Sequence, residues 1–551
     1  MADTQPDEHS LLSKHVICSK FQETFSKHWH SFSDLKTTDI EFMTKPFRIC
    51  KISNFVRDED FLQKVREELL NMKFKRKVVD LYQFKQTVDL SIIESEYVNE
   101  LRDVFRDDVA LWMKRNTGIT LNEKLSMSGS MYFDTDHLLC HDDNLQDRRI
   151  AFILYLMDEW SVEDGGALDL FDTDENGCPR DVVRSIVPEY NSFVFFEVVD
   201  NSYHQVAEIM AKKKIRWSIN GWFHGPKRNA HRPPRPIQTM DFIEPNEETV
   251  DLDLWISENY LTSTIARQIQ EIVEDNSYIL LQGFLKQDLY EAISADLTSQ
   301  DIQWRIVGPA DERRYEVADE QTLPYLLKEF YNIFKSISFF KQLKDYTELD
   351  LSPDDESMKP KMTIELQRWS QGCYTLIVDR TDSTNANENE SAVSSTDNEI
   401  DNTKRVTLRS QKRKLGTQSP NESKVARLES SDDSSYSMES EPSSMDSDDS
   451  ADKKEGEEKE DGEEVEGDKE NSEESGELDL IIQFHTSDKK ELKDVIDYVD
   501  PLEPNGELVH VPMKDNHLCL VYKSPSICRV HHYVNHYCKG YFYNLICTYH
   551  Q

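Results

Sequence analysis

The stretch Leu138-Leu139-Cys140-His141-Asp142-Asp143 decides the fold of this chain, because it combines a strand-like apolar pattern with side chains that bind metals. Successive side chains of a β-strand point to opposite faces of the sheet. We therefore expect His141 and Asp143 to project from one strand to the same face, with Asp142 pointing away. The stretch predicts a β-rich domain that carries a metal site on one of its strands.

Apolar runs around this stretch predict the strands that bury it. Tyr132-Phe133 precedes it, and the runs 150–156 and 192–199 follow it, each long enough for one buried strand. After the second run, the polar residues 201–203 form a turn that leads into His204. His204 is therefore a candidate third ligand at the end of a strand.

A candidate anion-binding group follows on the next predicted strand, 215–223, in which polar and apolar side chains alternate. Arg216 and Ser218 share its polar face. The guanidinium of Arg216 stays charged at any working pH and offers a planar fork for a bidentate contact with a carboxylate. Tyr155 ends a neighbouring strand, and its hydroxyl can share that carboxylate. These three residues are candidate contacts for an acidic co-substrate.

The ligand set favours iron among the metals. Two imidazoles and one carboxylate occupy one face of an octahedron and leave three positions open, which suits non-haem Fe(II). The open positions can take a chelating oxo-acid and dioxygen. Zinc hydrolysis is the chemical alternative, because Zn(II) also accepts histidine and aspartate ligands. It gives no reason for Arg216 and Ser218, and we therefore rank it below iron.

Each of these residues has an ordinary structural explanation when it is taken alone. An H-x-D triplet is common by chance, His204 alone is more often a structural histidine, and Arg216 alone more often forms a salt bridge at a strand end. Tyr155 alone is most simply a core residue. The order changes this interpretation: H-x-D, a Gly165-Gly166 turn, a histidine at a strand end, and then R-x-S on the following strand.

In this order the residues resemble the 2-oxoglutarate- and Fe(II)-dependent dioxygenases of the prolyl hydroxylase type, which carry H-x-D, a distal histidine and R-x-S on a double-stranded β-helix (jelly-roll) core. The similarity narrows to the eukaryotic ribosomal prolyl 3-hydroxylases. The segments that carry it are Leu-Leu-Cys-His-Asp-Asp (138–143), Arg-Arg-Ile-Ala-Phe-Ile-Leu-Tyr-Leu (148–156), Phe-Phe-Glu-Val (195–198), His-Gln-Val (204–206) and Gly-Trp-Phe-His-Gly-Pro (221–226). The strong similarity covers roughly residues 40–240. The second half of the chain is more weakly similar, and the segment around 383–477 does not match.

The resemblance implies a role for each candidate residue. His141, Asp143 and His204 would be the catalytic iron ligands, Arg216 would bind the distal carboxylate of 2-oxoglutarate with Tyr155 beside it, and Ser218 would complete the co-substrate site. Fe(II) is the implied metal, 2-oxoglutarate and dioxygen are the co-substrates, and ascorbate is expected as a supporting reductant. The implied substrate is a prolyl residue, hydroxylated at C3, in the decoding-centre protein of the small ribosomal subunit.

The charge of the chain is strongly acidic and unevenly distributed. The net charge is −41, and much of it lies in the Ser-, Asp- and Glu-rich stretch 381–478. That stretch has too few apolar groups to offset its ordering entropy, and we expect it to be disordered. The remaining acidic charge disfavours direct binding to nucleic acid. It suits a basic protein partner, which a ribosomal protein would be.

Cysteine spacing, together with the absence of an apolar signal core and of a membrane-spanning stretch, predicts a soluble protein of a reducing compartment. The nine cysteines show no C-x-x-C spacing, the N-terminus has no apolar signal core, and no stretch approaches the length of a membrane span. Lys412-Arg413-Lys414 is either a nuclear localisation signal or a basic patch that relieves the acidic stretch. We expect a cytoplasmic and nuclear location.

The second half of the chain repeats the plan of the first without its chemistry. The best register places Val378, Arg380 and Gln483 where His141, Asp143 and Tyr155 stand; His531 lies near the distal-histidine position, and Tyr541 or Tyr543 replaces Arg216. A histidine without partner ligands is not an iron site. We therefore expect the second copy to be catalytically inactive, with either a binding or a stabilising role.

These patterns predict a mainly β fold with flanking helices, in which two jelly-roll domains lie in tandem and the second is degenerate. We expect an N-terminal extension (1–39), a catalytic dioxygenase domain (40–225), a linker (226–250) and a non-catalytic domain (251–551) that is interrupted by the acidic insertion at 381–477. The alternative from another class is a non-enzymatic acidic adaptor that binds translation or chromatin proteins. The intact ligand set of the first copy argues against that as the sole role.

Overall fold

The structure is a computed structural model, and it describes residues 10–145, 147–228, 235–236, 240–247, 249–351, 360–377, 427–428, 476–487, 489, 495–502 and 506–550. Apart from residues 427–428 and 476–477, the predicted acidic insertion lies outside the described residues, as do Val378, Arg380 and the basic triplet 412–414. Within the described ranges, no helix has the length and apolar character needed to cross a membrane. All nine cysteines fall in these ranges, and each is a free thiol.

Nine α-helices lie in the described part of the chain. Five belong to the first half, and the last two of them are joined by a π-helical turn at Phe105–Val109: α1 (Lys14–Ile17), α2 (Ser19–Ser31), α3 (Glu59–Leu70), α4 (Glu96–Val104) and α5 (Ala110–Thr117). The second half contributes α6 (Ser263–Asn276), α7 (Gln287–Asp296), α8 (Tyr325–Ile333) and α9 (Ile337–Thr347).

The strands of the first half form one continuous antiparallel sheet. They are β1 (Leu35–Lys36), β2 (Ile40–Met43), β3 (Ile49–Ile52), β4 (Lys75–Val79), β5 (Tyr82–Gln86), β6 (Leu125–Tyr132), β7 (His137–His141), β8 (Arg148–Tyr155), β9 (Leu168–Thr173), β10 (Pro179–Ile186), β11 (Phe193–Glu197), β12 (His204–Val206) and β13 (Arg216–His224).

The second half contributes twelve described strands, arranged as a nine-stranded and a three-stranded sheet. They are β14 (Tyr278–Gln282), β15 (Trp304–Val307), β16 (Arg313–Ala318), β17 (Lys361–Trp369), β18 (Tyr374–Thr375), β19 (Arg427–Leu428), β20 (Glu477–Phe484), β21 (Ile496–Val499), β22 (Glu507–Val511), β23 (His517–Lys523), β24 (Cys528–His531) and β25 (Phe542–His550).

The first sheet closes on itself as a jelly roll. One of its layers has the order β3-β11-β8-β13-β6, and the other has the order β7-β12-β9-β10, with β5 pairing to both β6 and β7. Apolar side chains from the two layers, among them Ile49, Tyr155, Leu170 and Phe196, form one buried cluster. Because side chains alternate along each strand, the inward face of one layer can pack on the inward face of the other.

The helices of the first half cover the outer face of its larger layer. An apolar stripe on α3, formed by Phe61, Leu62, Val65 and Leu69, is buried as the helical period predicts. The segment predicted as an N-terminal extension belongs to the same core, since Phe25 and Trp29 of α2 are buried and Trp29 lies 6.2 Å from the Phe195 ring. The first core therefore begins before residue 40.

The second half repeats this architecture. Its large sheet contains the order β17-β25-β20-β23-β14, and its small sheet has the order β22-β21-β24. Side chains from both sheets share one buried cluster, and helices α6 to α9 cover the outer face of the large sheet. The expectation of two jelly-roll units in a mainly β fold is confirmed. Two residues of the predicted linker pack onto the second unit, because Ile243 and Asn246 bridge to Met362 and Ser336.

Candidate metal centre and co-substrate site

The two candidate ligand histidines are direct neighbours across two strands. His204 of β12 pairs with His141 of β7 in antiparallel register, and the two ring centroids lie 4.2 Å apart. Opposed side chains on one face of an antiparallel pair lie close enough to share a ligand. Strand pairing therefore brings together two residues that are 63 positions apart in the sequence.

Backbone carbonyls orient both imidazoles toward Asp143. The Nδ1 atom of His141 lies 2.8 Å from the Leu139 carbonyl oxygen, and the Nδ1 atom of His204 lies 2.8 Å from the Ser202 carbonyl oxygen. The Nε2 atoms lie 3.8 Å and 3.6 Å from the Asp143 carboxylate oxygens. A hydrogen bond from Nδ1–H to a carbonyl fixes the tautomer that leaves Nε2 as a metal donor.

Asp143 reaches this position by a route that the sequence pattern did not predict. We expected His141 and Asp143 on one continuous strand, but β7 ends at His141, and Asp143 follows in a left-handed conformation with φ of 58°. A non-glycine residue in this region is uncommon and carries strain that a functional site can hold. The turn, rather than strand alternation, brings the carboxylate beside the two imidazoles.

Two side chains that the sequence did not single out hold the Asp143 carboxylate. Arg148 donates to Oδ1 at 3.0 Å, Trp222 donates through Nε1 to Oδ2 at 3.0 Å, and the Arg148 guanidinium stacks over the Trp222 ring at 3.7 Å. The available signal was positional, because Arg148 follows Asp143 by five residues and Trp222 shares the predicted polar face of Arg216. Hydrogen-bond partners that do not themselves bind the metal orient a metal ligand in this way.

The protonation states at the cluster suit a cation. Burial lowers the pKa of His204 to about 4, and His204 is therefore neutral near pH 7. Burial opposes ionisation of Asp143, but the charge of Arg148 and the neighbouring imidazoles hold its pKa below the ordinary value. Metal binding needs a neutral imidazole and an ionised carboxylate. His141, Asp143 and His204 supply three donor atoms that lie within 4.8 Å of one another.

Arg216 is buried in the same jelly roll, where it and Asp143 both act electrostatically on Tyr132, and it has no carboxylate partner among the described residues. Its side chain is about 1% exposed. Nε donates to the Gly166 carbonyl oxygen at 2.8 Å, and one terminal nitrogen donates to the Tyr155 hydroxyl at 3.3 Å. The guanidinium also lies 5.1 Å from the centre of the Tyr132 ring, a neighbour that the sequence did not single out. A buried charge without a counter-charge is costly, which fits a site that receives an anion.

Gly166 explains how Arg216 fits against the preceding turn. Its φ is +67°, and a Cβ at this position would lie 2.5 Å from Ile209 Cδ1 and 2.9 Å from Arg216 Cδ. The predicted Gly165-Gly166 turn therefore leaves the space that the Arg216 side chain occupies.

Ser218 lies on the same face of β13 as Arg216 and is buried. Its hydroxyl donates to Asn220 Oδ1 at 3.2 Å, and it lies opposite Tyr155 of β8 and Ser130 of β6. The structure thus places all six predicted site residues in one region of the first jelly roll. The donor set of two imidazoles and a carboxylate suits Fe(II), and the unpaired guanidinium suits a dicarboxylate that chelates it.

Two family models match this chain. The 2OG-Fe(II) oxygenase superfamily matches residues 127–224, and "Oxoglutarate and iron-dependent oxygenase degradation C-term" matches residues 247–551. Prolyl 3-hydroxylase OGFOD1 of Mus musculus is 37% identical in a 374-residue alignment that covers 65% of this chain and 68% of that protein. The chain belongs to the 2-oxoglutarate- and Fe(II)-dependent prolyl 3-hydroxylase family.

Two further relatives are similar to this chain over a smaller share of its length. Prolyl 3-hydroxylase sudestada1 of Drosophila melanogaster is 35% identical over 62% of this chain and 66% of that protein. Prolyl 3,4-dihydroxylase OGFOD1 of Ostreococcus tauri is 30% identical over 47% of this chain and 61% of that protein. The chain is an oxidoreductase of the oxygenase class that uses Fe(II) and 2-oxoglutarate.

Strand register shows what the second jelly roll has in place of the co-substrate site. Tyr155 lies opposite Ser218, the third residue of β13, and Gln483 lies opposite Asn544, the third residue of β25. The expected replacement of Tyr155 by Gln483 is confirmed. The replacement of Arg216 is Phe542, the first residue of β25, and the prediction of Tyr541 or Tyr543 was wrong by one position because the faint repeat did not fix the strand ends.

The distal-histidine position of the second unit holds an arginine. His204 pairs with Leu170, the third residue of β9, whereas Arg529 pairs with Tyr498, the third residue of β21. His531, which we placed near this position, lies two residues further along β24. The sequence alignment favoured His531 because it matched histidine to histidine, and the strand pairing corrects it.

The second unit packs directly against the two strands that carry the histidines. Ala310 shares a buried cluster with Cys140 and Tyr203, which are the residues that precede His141 and His204. On the next face, Leu139 packs with Tyr374 and Leu376. The second unit therefore supports the backbone on which the candidate ligands stand.

Proposed function

We propose that this chain is an Fe(II)- and 2-oxoglutarate-dependent dioxygenase that hydroxylates a prolyl residue, at C3, in the decoding-centre protein of the small ribosomal subunit. The observation that carries the proposal is the buried guanidinium of Arg216, which lacks a carboxylate partner among the described residues and lies in the same jelly roll as the cluster of His141, Asp143 and His204. A site of this kind is prepared for a dicarboxylate next to a metal.

Each residue of the site has a defined part in this proposal. His141 and His204 bind the metal through Nε2, and Asp143 binds it through a carboxylate oxygen that Arg148 and Trp222 orient. Arg216 and the Tyr155 hydroxyl bind the distal carboxylate of 2-oxoglutarate. Ser218 lies on the same face and completes the polar wall of the site.

The bound Fe(II) supplies the activation of dioxygen that couples decarboxylation of 2-oxoglutarate to succinate and CO2 with hydroxylation of the prolyl ring. The protein contributes position and shielding. Tyr155 is fully buried, and Arg216 almost so, which keeps bulk water away from the co-substrate carboxylate. Ascorbate serves as the supporting reductant that keeps the metal ferrous between turnovers.

The relatives and the charge of the chain support the substrate. The mouse and fly relatives are named prolyl 3-hydroxylases, which supports a protein substrate and C3 as the target carbon. The net charge of −41 favours a basic protein partner, and ribosomal proteins are of this kind. We place the activity in the cytoplasm and nucleus, where such a substrate is synthesised and assembled, and connect it with translation.

The test is the mass of the small-subunit proteins from cells that lack the endogenous enzyme and express either this chain or its His141→Ala variant. The wild type should add the mass of one oxygen atom to the decoding-centre protein, and peptide fragmentation should place it on a proline. His141→Ala should add none, because one of three metal ligands is lost. His28→Ala is a matched control, since the Nδ1 atom of His28 also contacts a backbone carbonyl, at 3.1 Å, but lies on α2 away from the site.

Hydroxylation of that protein by His141→Ala would contradict the assigned iron ligand. Turnover of 2-oxoglutarate by the wild type without any mass change in the small-subunit proteins would overturn the substrate and leave the oxygenase chemistry in place.

A further inference from the structure

We propose that the second jelly roll holds a zinc site of its own, formed by Asp497, Glu507 and His510 on the outer face of its small sheet. The three side chains each offer a ligand atom within 4.8 Å of the other two. The site lies on β21 and β22, apart from the His141 cluster of the first half. It is the second of two such groups of metal-binding side chains in the part of the chain that the structure describes.

Strand register assembles the site. Asp497 of β21 lies directly opposite His510 of β22, and Glu507 lies on the same strand as His510 near a register shift. The Nδ1 atom of His510 lies 2.8 Å from Asp497 Oδ1. Neighbouring ligand atoms of a tetrahedral zinc ion lie about 3.3 Å apart. A zinc ion can therefore replace the proton between these two atoms with a shift of about half an ångström.

His532 orients the Asp497 carboxylate from the other side. Its Nε2 atom lies 2.6 Å from Asp497 Oδ2, and its backbone N–H donates to the Val495 carbonyl oxygen at 2.9 Å. One carboxylate oxygen thus contacts a candidate ligand, and the other contacts a second imidazole. This is the arrangement that a metal-binding carboxylate commonly has with its outer partner. His532 is therefore a positioning residue in the proposal.

The charge at the site favours a cation. Burial by itself would raise the pKa of Asp497, but the hydrogen bonds from His532 and His510 hold it below the ordinary value, and the carboxylate is ionised at neutral pH. Glu507 brings a second carboxylate within 4.8 Å of ligand atoms on Asp497 and His510. Two carboxylates this close repel each other unless a cation lies between them.

At the equivalent position of the first jelly roll, neutral side chains hydrogen-bond to the buried carboxylate. Asp169 is the second residue of β9, as Asp497 is of β21, and it accepts hydrogen bonds from Ser185 and Gln205, which are neutral side chains that do not bind zinc. Ser185 and His510 occupy corresponding places opposite these carboxylates. The second unit therefore has imidazoles where the first needs only hydroxyl and amide groups to satisfy a buried carboxylate.

Zinc is the metal that the donors favour. One imidazole nitrogen and two carboxylate oxygens on a partly exposed surface leave a fourth tetrahedral position for water. The His141 cluster has Arg216 for an acidic co-substrate, whereas no residue assigned to the proposed site has that part. Because the ligands come from two strands, zinc would bind β21 to β22, and the fourth position would make it an open zinc site with one bound water.

The experiment uses the full-length chain with the first cluster disabled by His141→Ala and Asp143→Asn, stripped of metal and titrated with Zn(II) alone. We expect one zinc ion per chain and a rise in the temperature of thermal unfolding. His510→Ala in this background should weaken zinc binding at least 100-fold, and His532→Ala should weaken it 10- to 100-fold, by about the effect of losing an outer partner. His517→Ala is the control, because His517 lies on β23 outside the cluster.

Circular dichroism shows whether each variant folds. If His510→Ala does not fold, His510→Gln repeats the test, because glutamine keeps the size and polarity of the side chain. Anomalous scattering at the zinc edge should place the ion between β21 and β22. Absence of zinc binding in the disabled background, or binding that His510→Ala and His510→Gln leave unchanged, would overturn the proposal. Neither result depends on hydroxylase activity.

Discussion

Arg529 donates to Asp479 Oδ2 at 2.6 Å in the second jelly roll, at the strand position that His204 has in the first. Asp479 is fully buried, and it also accepts hydrogen bonds from the Tyr498 and Thr548 hydroxyls. A fixed guanidinium therefore occupies the region that receives a metal in the other unit. A second cation is disfavoured where the Arg529 guanidinium already pairs with the buried Asp479 carboxylate, which supports the expectation that the second copy binds no iron.

Replacement of Arg529 by methionine should destabilise the second unit without creating a metal site. Loss of one partner of a buried ion pair leaves the other charge uncompensated, and we expect the free energy of unfolding to fall by about 3 kcal/mol. Urea unfolding followed by intrinsic fluorescence measures it. The control is Arg267→Met, whose pair with Glu271 is exposed and should contribute less than about 1 kcal/mol. Equal losses in the two variants would contradict a structural role for the Arg529 pair.

Arg216→Ala should act on the co-substrate more than on the metal. Removal of the guanidinium leaves the distal carboxylate of 2-oxoglutarate without its charged partner, and we expect the KM for 2-oxoglutarate to rise about 100-fold. Arg216→Lys keeps the charge but not the planar fork, and its KM should lie between those of the wild type and Arg216→Ala. Steady-state turnover of 2-oxoglutarate and Fe(II) titration separate the two effects. An unchanged KM in Arg216→Ala would remove Arg216 from the co-substrate site.

Gly166→Ala should weaken 2-oxoglutarate binding through the position of Arg216. The new Cβ would lie 2.9 Å from Arg216 Cδ and 2.5 Å from Ile209 Cδ1, so that one or both side chains must move. Gly283→Ala is a matched control, since Gly283 has a similar φ of +62° but no atom within 4 Å of the added Cβ. Both variants should lose about 1 kcal/mol of stability through backbone strain. Only Gly166→Ala should also raise the KM for 2-oxoglutarate.

Sequence order was sufficient for the residues of the site, but local backbone geometry was not. His141, His204 and Arg216 could be predicted because strand alternation and pairing depend on patterns of apolar residues that the sequence displays. The left-handed turn at Asp143 could not, because a strand pattern carries no signal for a single residue with positive φ. Strand pairing placed Phe542 and Arg529, rather than the residues chosen from sequence, because register in a faint repeat is fixed by long-range hydrogen bonds.

The contact between the two units gives a pH-dependent prediction at Glu208. The carboxylate of Glu208 is buried against the second unit, where it accepts hydrogen bonds from the His536 backbone N–H at 2.8 Å and from Gln371 at 2.9 Å, with the Tyr533 hydroxyl at 3.3 Å. Burial raises the pKa of Glu208 from 4.5 to about 7, although these hydrogen bonds oppose the shift. The folded chain therefore holds this proton more tightly than the unfolded chain does.

It follows that the contribution of neutral Glu208 to stability is present below pH 4.5 and is lost as the pH rises to about 7. The loss can reach about 3 kcal/mol, since one pKa unit corresponds to about 1.4 kcal/mol. Glu208→Gln cannot ionise, and the difference in unfolding free energy between wild type and variant should fall across this window. His536 contacts Glu208 directly, with its Nδ1 atom 3.1 Å from Glu208 Oε1, and the difference therefore reports the coupled pair of Glu208 and His536, with Asp134 beside it. The exposed Glu159→Gln is the control and should show no such change. A difference in unfolding free energy between wild type and Glu208→Gln that stays constant from pH 4.5 to 7 would contradict the assigned burial effect.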